Sequence, residues 1–146
     1  MKTPLVPNAR ALARAALIAA LYAALTLLPV LLPEAIPALA VGCLLANVLG
    51  GCTALDIVFG TLATLLAAIL TRKLRANAPL AAAMPVLFNG VIVGAVVHYA
   101  YSPAIPLPLC MLSVAAGEAI ACFVLGLLLL KALRRVPDGL LSEQGR

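Results

Sequence analysis

The run Leu55-Asp56-Ile57-Val58-Phe59-Gly60-Thr61-Leu62-Ala63-Thr64-Leu65-Leu66-Ala67-Ala68-Ile69-Leu70-Thr71-Arg72-Lys73-Leu74-Arg75 has one acid near its start and three bases at its end, with no charge between them. Such a stretch approaches the ~20 apolar residues that a helix needs to cross a bilayer. It ends in the kind of Lys/Arg cluster that stays on the cytoplasmic side of a membrane.

The pattern recurs on both flanks. Basic residues fall at Lys2, Arg10 and Arg14, then at Arg72, Lys73 and Arg75, then at Lys131, Arg134 and Arg135, and last at Arg146. No Lys or Arg occurs from residue 15 to 71 or from 76 to 130. Composition agrees: the chain is 65% hydrophobic and 10% charged, with a mean hydropathy of +1.18. A soluble domain carries about 25% charged residues. The expected fold is therefore all-α, a polytopic transmembrane helix bundle over residues 1–135 with a cytoplasmic tail at 136–146. A cleavable signal peptide is excluded, because apolar sequence continues far past any h-region. The net charge of +5 belongs to topology and to anionic lipid. Aromatic residues do not interleave the bases, so no nucleic-acid partner is expected.

The charges also constrain the path. With Arg14, the Arg72 cluster and the Lys131 cluster on one side, each gap must hold an even number of crossings. The second gap complies, with spans at 80–101 and 107–130 joined by Ser102-Pro103-Ala104-Ile105-Pro106. In the first gap, Pro29, Pro33, Pro37 and Gly50-Gly51 cut the apolar sequence into three segments at 11–28, 35–49 and 54–71. Three crossings would place Arg72 outside, so one segment is re-entrant or doubled, or a helix is missing. In the first segment Ala16, Ala20 and Ala24 share a helix face, a spacing that lets another membrane helix approach closely. Alanine is abundant throughout, so chance competes with a docking role.

Polar residues inside apolar spans mark candidate sites, since a mid-bilayer charge costs at least ~2.5 kcal/mol. Glu34, Asp56, His98 and Glu118 are the ionisable ones, joined by Asn47 and Asn89. Glu118 sits near the middle of its span, between Ala115 and Cys122 on one face. Asn89 either bridges helices or touches a ligand. Asp56 begins a small-residue face continued by Gly60, Ala63, Thr64 and Ala67, but an N-cap role competes. For Asn47, just before Gly50-Gly51, the rival role is a C-cap. Glu34 after Pro33 fits first-turn helix chemistry better than a site. Asn89 and His98 are about 180° apart on a regular helix and cannot share a cavity. His98, Tyr99 and Tyr101 fit an interfacial belt.

Other chemistry finds little support. The four cysteines, Cys43, Cys52, Cys110 and Cys122, lack CxxC spacing and fit buried free thiols rather than a metal or redox centre. No GxxxxGK[ST] segment is present, so the chain does not itself bind ATP through a P-loop. No nucleophile–base motif is present either, and no enzyme is expected.

Several stretches resemble the QueT transporter family. They are Pro33-Glu34-Ala35-Ile36-Pro37, Val41-Gly42-Cys43-Leu44-Leu45-Ala46-Asn47, the run Leu55 to Ala67 quoted above, Pro85-Val86-Leu87-Phe88-Asn89 and Gly117-Glu118. The resemblance covers most of the chain from residue 16 to 134. It implies the substrate-binding S component of an energy-coupling factor importer, with a queuosine precursor, a deazaguanine base, as cargo. It further implies six helices, a plasma-membrane location and both termini in the cytoplasm. An alanine-rich first helix would dock on a transmembrane coupling subunit driven by two ATPase subunits. ATP is then used by those partners, and no cofactor or metal is held by this chain.

One departure stands out. The family has a further polar stretch between its first helix and the Pro-Glu-Ala-Ile-Pro segment. Here Tyr22-Ala23-Ala24-Leu25-Thr26 runs directly into Leu27-Leu28-Pro29-Val30-Leu31-Leu32-Pro33. Five to six helices are therefore expected, with the part between helices 1 and 2 truncated and Leu27 to Pro33 returning across the membrane if the chain is continuous. The implied site comprises Asn47, Asp56, Asn89, Tyr99 and Glu118. Glu118 accepts two N–H donors of a guanine-like edge, Asn89 offers a donor and an acceptor, and Asp56 pairs an aminomethyl cation if the cargo has one. Tyr99 or Tyr101 stacks on the base. The alternative is a small ion-coupled homodimeric carrier that uses Glu118 as a proton switch.

Overall fold

The computed structural model describes residues 21–22 and 24–135. Expectations for Arg14, Ala16, Ala20 and the 136–146 tail fall outside them. Among the described residues every regular element is helical. A 3-10 turn at Leu28–Val30 precedes four helices. These are α1 (Ala35–Leu49), α2 (Thr61–Lys73, led in by a π-helical turn at Asp56–Gly60), α3 (Ala78–Tyr101) and α4 (Leu107–Leu133). α3 and α4 have 24 and 27 residues, about 36 Å and about 40 Å at the α-helical rise, enough to cross a bilayer. α1 is apolar but shorter, at 15 residues.

Each boundary has a local cause. α1 ends where Gly51 adopts φ +67 and Cys52 N donates to Asn47 O at 3.0 Å. This is a Schellman closure, which needs a residue tolerant of the left-handed region. α3 begins at Asn77, whose side chain accepts from Leu80 N, with a proline in the first turn. Pro85 lies inside α3 and cannot donate to the carbonyl of Ala81. The hydroxyl of Thr71 on α2 donates to that carbonyl instead, at 3.2 Å, so a neighbouring helix satisfies the freed group.

Consecutive helices pack as neighbours, and the size order of a soluble core is inverted. Ala63, Ala81, Ala82 and Thr71 are fully buried, whereas Leu49 is 84% and Ile120 68% exposed. In water such a surface would aggregate. In lipid, hydrocarbon solvates the large side chains and small ones let helices approach. α3 and α4 approach closely at two glycines. A Cβ on Gly94 would lie 2.5 Å from Met111 Cα, and one on Gly90 would lie 2.9 Å from Ala115 Cβ.

The bundle has a basic end and an opposite end. Ala78 and Pro79, just after the Arg72 cluster, share a cavity wall with Lys131, Arg134 and Arg135. The Gly50–Thr53 loop and the 102–106 turn meet at the other end, where Thr53 N donates to Tyr101 Oη at 3.2 Å. The two described basic clusters thus share one end and the two turns share the other, as the charge pattern predicts.

The expectation for Leu27 to Pro33 does not hold. This segment does not return across the bundle; it turns at the basic end. Pro33 cannot donate to the carbonyl of Pro29, which breaks the helical ladder there. Arg72 Nη1 donates to Pro29 O, Val30 O and Leu31 O at 3.3, 3.0 and 3.2 Å. Beneath the turn, Leu27 packs with Ala82 and Cys122, and Val30 with Ala81 and Leu130. Within the turn Leu27 N donates to Ala24 O and Val30 N to Leu27 O. α1 and α2 therefore supply the even pair before Arg72. The segment ending at Leu28 is the odd one, and it reaches the basic end from the direction of Tyr22. Ala24, the one described residue of the expected docking face, is 3% exposed. It faces the bundle because this segment packs between the helices.

Candidate functional site

A cavity of about 620 Å³ opens in the half of the bundle away from the basic end. Its walls come from Tyr22, from Cys43, Ala46 and Asn47 of α1, and from Asp56, Gly60 and Thr64 of the π-turn and α2. Asn89 and Val93 of α3 and Val114 and Glu118 of α4 complete it. Most of this surface is apolar, and its few polar groups converge.

Asn89 Nδ2 donates to Glu118 Oε1 at 2.9 Å, tying α3 to α4 at mid-helix. The Gly90–Ala115 and Gly94–Met111 contacts bring the two backbones close enough for this bond. Asn89 is 9% exposed, and its Oδ1 finds no partner among the described residues. One of the two N–H donors of the Asn89 amide is thus engaged by Glu118. Cys122 Sγ lies 3.9 Å from Glu118 Oε1.

Asp56 is not the N-cap. Thr53 Oγ1 accepts from Asp56 N at 3.4 Å and Thr53 O from Ile57 N at 3.0 Å, so Thr53 caps the helix three residues earlier. This leaves the Asp56 carboxylate facing the cavity, where Oδ2 accepts from Tyr101 Oη at 2.9 Å. Asn47 is not the C-cap, because Gly51 closes that turn. Its Nδ2 instead donates to Asp56 O at 3.1 Å. Gly60 keeps this corner open: a Cβ there would lie 3.0 Å from Asp56 Oδ1 and 3.2 Å from Asn47 Nδ2. The predicted small-residue face is buried at Gly60, Ala63, Thr64 and Ala67.

Asn47, Asp56, Asn89 and Glu118 thus surround one space, and Tyr99 does not join them. Tyr99 is 68% exposed and lies against the His98 ring with centroids 4.8 Å apart. His98 Nδ1 is 2.7 Å from Ile105 O, at the turn. The cause is a π-helical turn at Val97–Tyr101, closed by Ser102 N donating to Val97 O at 2.8 Å. The extra residue per turn brings Tyr101, not Tyr99, onto Asp56. Sequence reasoning also missed Tyr22, a phenol in an otherwise apolar segment. It had noted the Thr64 face, without predicting that Thr64 Oγ1 donates to Cys43 Sγ at 3.4 Å.

The cavity therefore presents acceptors in the Glu118 and Asp56 carboxylates. Among the described residues no cation faces them, and no group of three or more His, Cys, Asp or Glu gathers to hold a metal. A ligand that fills such a space brings N–H donors.

A model described as "QueT transporter" matches residues 23–135. No curated protein and no solved structure matches the chain.

Proposed function

The chain belongs to the QueT transporter family, and we propose that it is the substrate-binding membrane component of an energy-coupling factor importer for a queuosine precursor, a deazaguanine base. The basic end faces the cytoplasm in this reading, by the positive-inside rule. The cavity then opens from the outer half of the bilayer. The protein is a transporter component rather than an enzyme, and a separate coupling subunit and two ATPases supply the driving force.

The observation that carries the base assignment is the Asn89–Glu118 pair. Asn89 holds the Glu118 carboxylate in place, and a 2-amino-6-oxo-7-deazapurine presents adjacent N1–H and N2–H donors that this carboxylate accepts together. An acceptor left unpaired in an apolar site costs about 1–3 kcal/mol, so the carboxylate selects for the 2-amino group. The Asp56 carboxylate, held by Tyr101, accepts from a substituent at the other end of the ring. Tyr22 and Tyr101 replace Tyr99 as the aromatic residues next to the base.

The test is calorimetric binding to the purified protein, comparing a 7-deazaguanine with 7-deazaadenine and 7-deazahypoxanthine. The 2-amino-6-oxo base should bind at least tenfold more tightly than either analogue. Equal binding of all three would overturn the base assignment. For coupling, uptake should require co-expressed ATPase subunits. Proton-dependent uptake by a homodimer without them would favour the ion-coupled carrier.

A further inference from the structure

A second cavity lies at the other end of the molecule, between the first turn of α3 and the last turns of α4. It measures about 430 Å³ and is lined by Ala78, Pro79, Leu127, Leu130, Lys131, Arg134 and Arg135. Its wall is divided by height along α4. Leu127 and Leu130 form the deeper part; Leu130 is fixed by packing on Val30 and Ala81. The three cations occupy the next turn and a half, where α4 leaves the apolar zone.

Lys131, Arg134 and Arg135 make no side-chain hydrogen bond or ion pair among the described residues. Arg72, Lys73, Arg75, Lys131, Arg134 and Arg135 share this end, while Asp56 and Glu118 line the other cavity. Glu34, at the start of α1, is the described carboxylate nearest this end. Arg72 is already engaged by the three carbonyls of the 29–31 turn. Lys131, Arg134 and Arg135 remain available, above an apolar floor.

We infer that this cavity binds one anionic phospholipid. Its phosphate sits on Lys131, Arg134 and Arg135, and its glycerol and upper acyl carbons lie on Leu127, Leu130 and Pro79. Two arguments favour a lipid over a free phosphate. An inorganic anion would use the cationic half and leave the apolar half wet. The cavity also sits at the height where α4 passes from apolar to basic residues, which is where a bilayer presents headgroups. Guanidinium forks match phosphate oxygens, and basic pockets between membrane helices on the cytoplasmic side hold such headgroups. This site is separate from the base cavity and does not depend on the cargo assigned there.

Native mass spectrometry of the full chain, titrated with phosphatidylglycerol or phosphatidylcholine in detergent, tests the inference. One phosphatidylglycerol should be retained at concentrations where phosphatidylcholine is not. R134Q/R135Q should weaken retention by about fivefold per charge removed. K73Q/R75Q removes equal charge at the same end but outside the cavity and should change retention less than twofold. Ala78→Trp fills the cavity without altering charge and should also expel the lipid. Monodispersity on gel filtration confirms that each variant is folded. Equal weakening by the two double variants would mean diffuse attraction and overturn the site. So would equal retention of both lipids, or unchanged retention in Ala78→Trp. Displacement of the lipid by millimolar inorganic phosphate would reassign the cavity to a free anion.

Discussion

The two ends of this bundle solve the same packing problem in opposite ways. Toward the basic end the core is packed: Leu27, Ala82 and Cys122 form one cluster, and Val30, Ala81 and Leu130 another. Spare backbone acceptors there are satisfied by donors from elsewhere, Arg72 for the 29–31 turn and Thr71 for Ala81. π-helical turns interrupt the helices three times in the other half, at Asp56–Gly60, Asn89–Val93 and Val97–Tyr101, and once toward the basic end, at Ala121–Gly126. An amide oxygen is left without a partner, and polar groups converge on open space. π-turns concentrate at functional sites because they displace side chains from regular register. The contrast assigns stability to one end and recognition to the other.

The sharpest way to break this comparison is Arg72→Met. It strands three carbonyls of a proline-bounded turn, and stability should fall by roughly 3 kcal/mol. Thermal melting in detergent measures this, while base affinity of the folded fraction should hold. Unchanged melting would mean that the turn holds itself and that the ends do not differ in this way. Gly94→Ala comes next, with an expected loss of roughly 2 kcal/mol from overpacking against the Met111 backbone. Here affinity should fall as well, because α3 and α4 carry Asn89 and Glu118. Full affinity in a destabilised Gly94→Ala protein would show that the site tolerates helix separation.

Glu118→Gln sharpens the comparison from the other side. Base affinity should drop about tenfold to a hundredfold as an acceptor becomes a donor facing N–H groups. Melting should stay put, because the Gln oxygen still accepts from Asn89. A large melting shift would make Glu118 part of the scaffold instead. The smallest effect is expected from Tyr101→Phe, about 1 kcal/mol and confined to one corner. Hydrogen exchange should quicken at residues 50–56 and stay unchanged around Arg72. Uniform quickening would show that the two halves unfold as one unit.

Much of this was legible because membrane sequences make polar residues conspicuous. Asp56, Asn89 and Glu118 stood out against their spans, and the Lys/Arg gaps fixed which turns share an end. The first turn was not legible. Prolines at 29 and 33 mark a break, but hydropathy does not say at which end it falls; that depends on Arg72, more than forty residues away in sequence. The sequence leaves Tyr99 and Tyr101 both open as stacking residues; the π-turn at 97–101 brings Tyr101 onto Asp56. The Gly90 and Gly94 contacts escaped because the alanine spacing at 16, 20 and 24 drew the small-residue argument elsewhere. Only contacts reveal which of many small residues another backbone approaches.

The alanine interior has a consequence for how cargo enters. Ala63, Ala67, Ala68, Ala81 and Ala82 have no rotamers to exchange, so side chains swinging aside cannot create a passage through this part of the wall. Opening there requires displacement of whole backbone segments. The crossing between α2 and α3 is cross-linked by the Thr71–Ala81 bond, which makes the Pro85 break a seam rather than a joint. The 50–56 segment, tied to Tyr101 by two bonds that water can replace, is the part of the cavity's surround with the least to lose by moving.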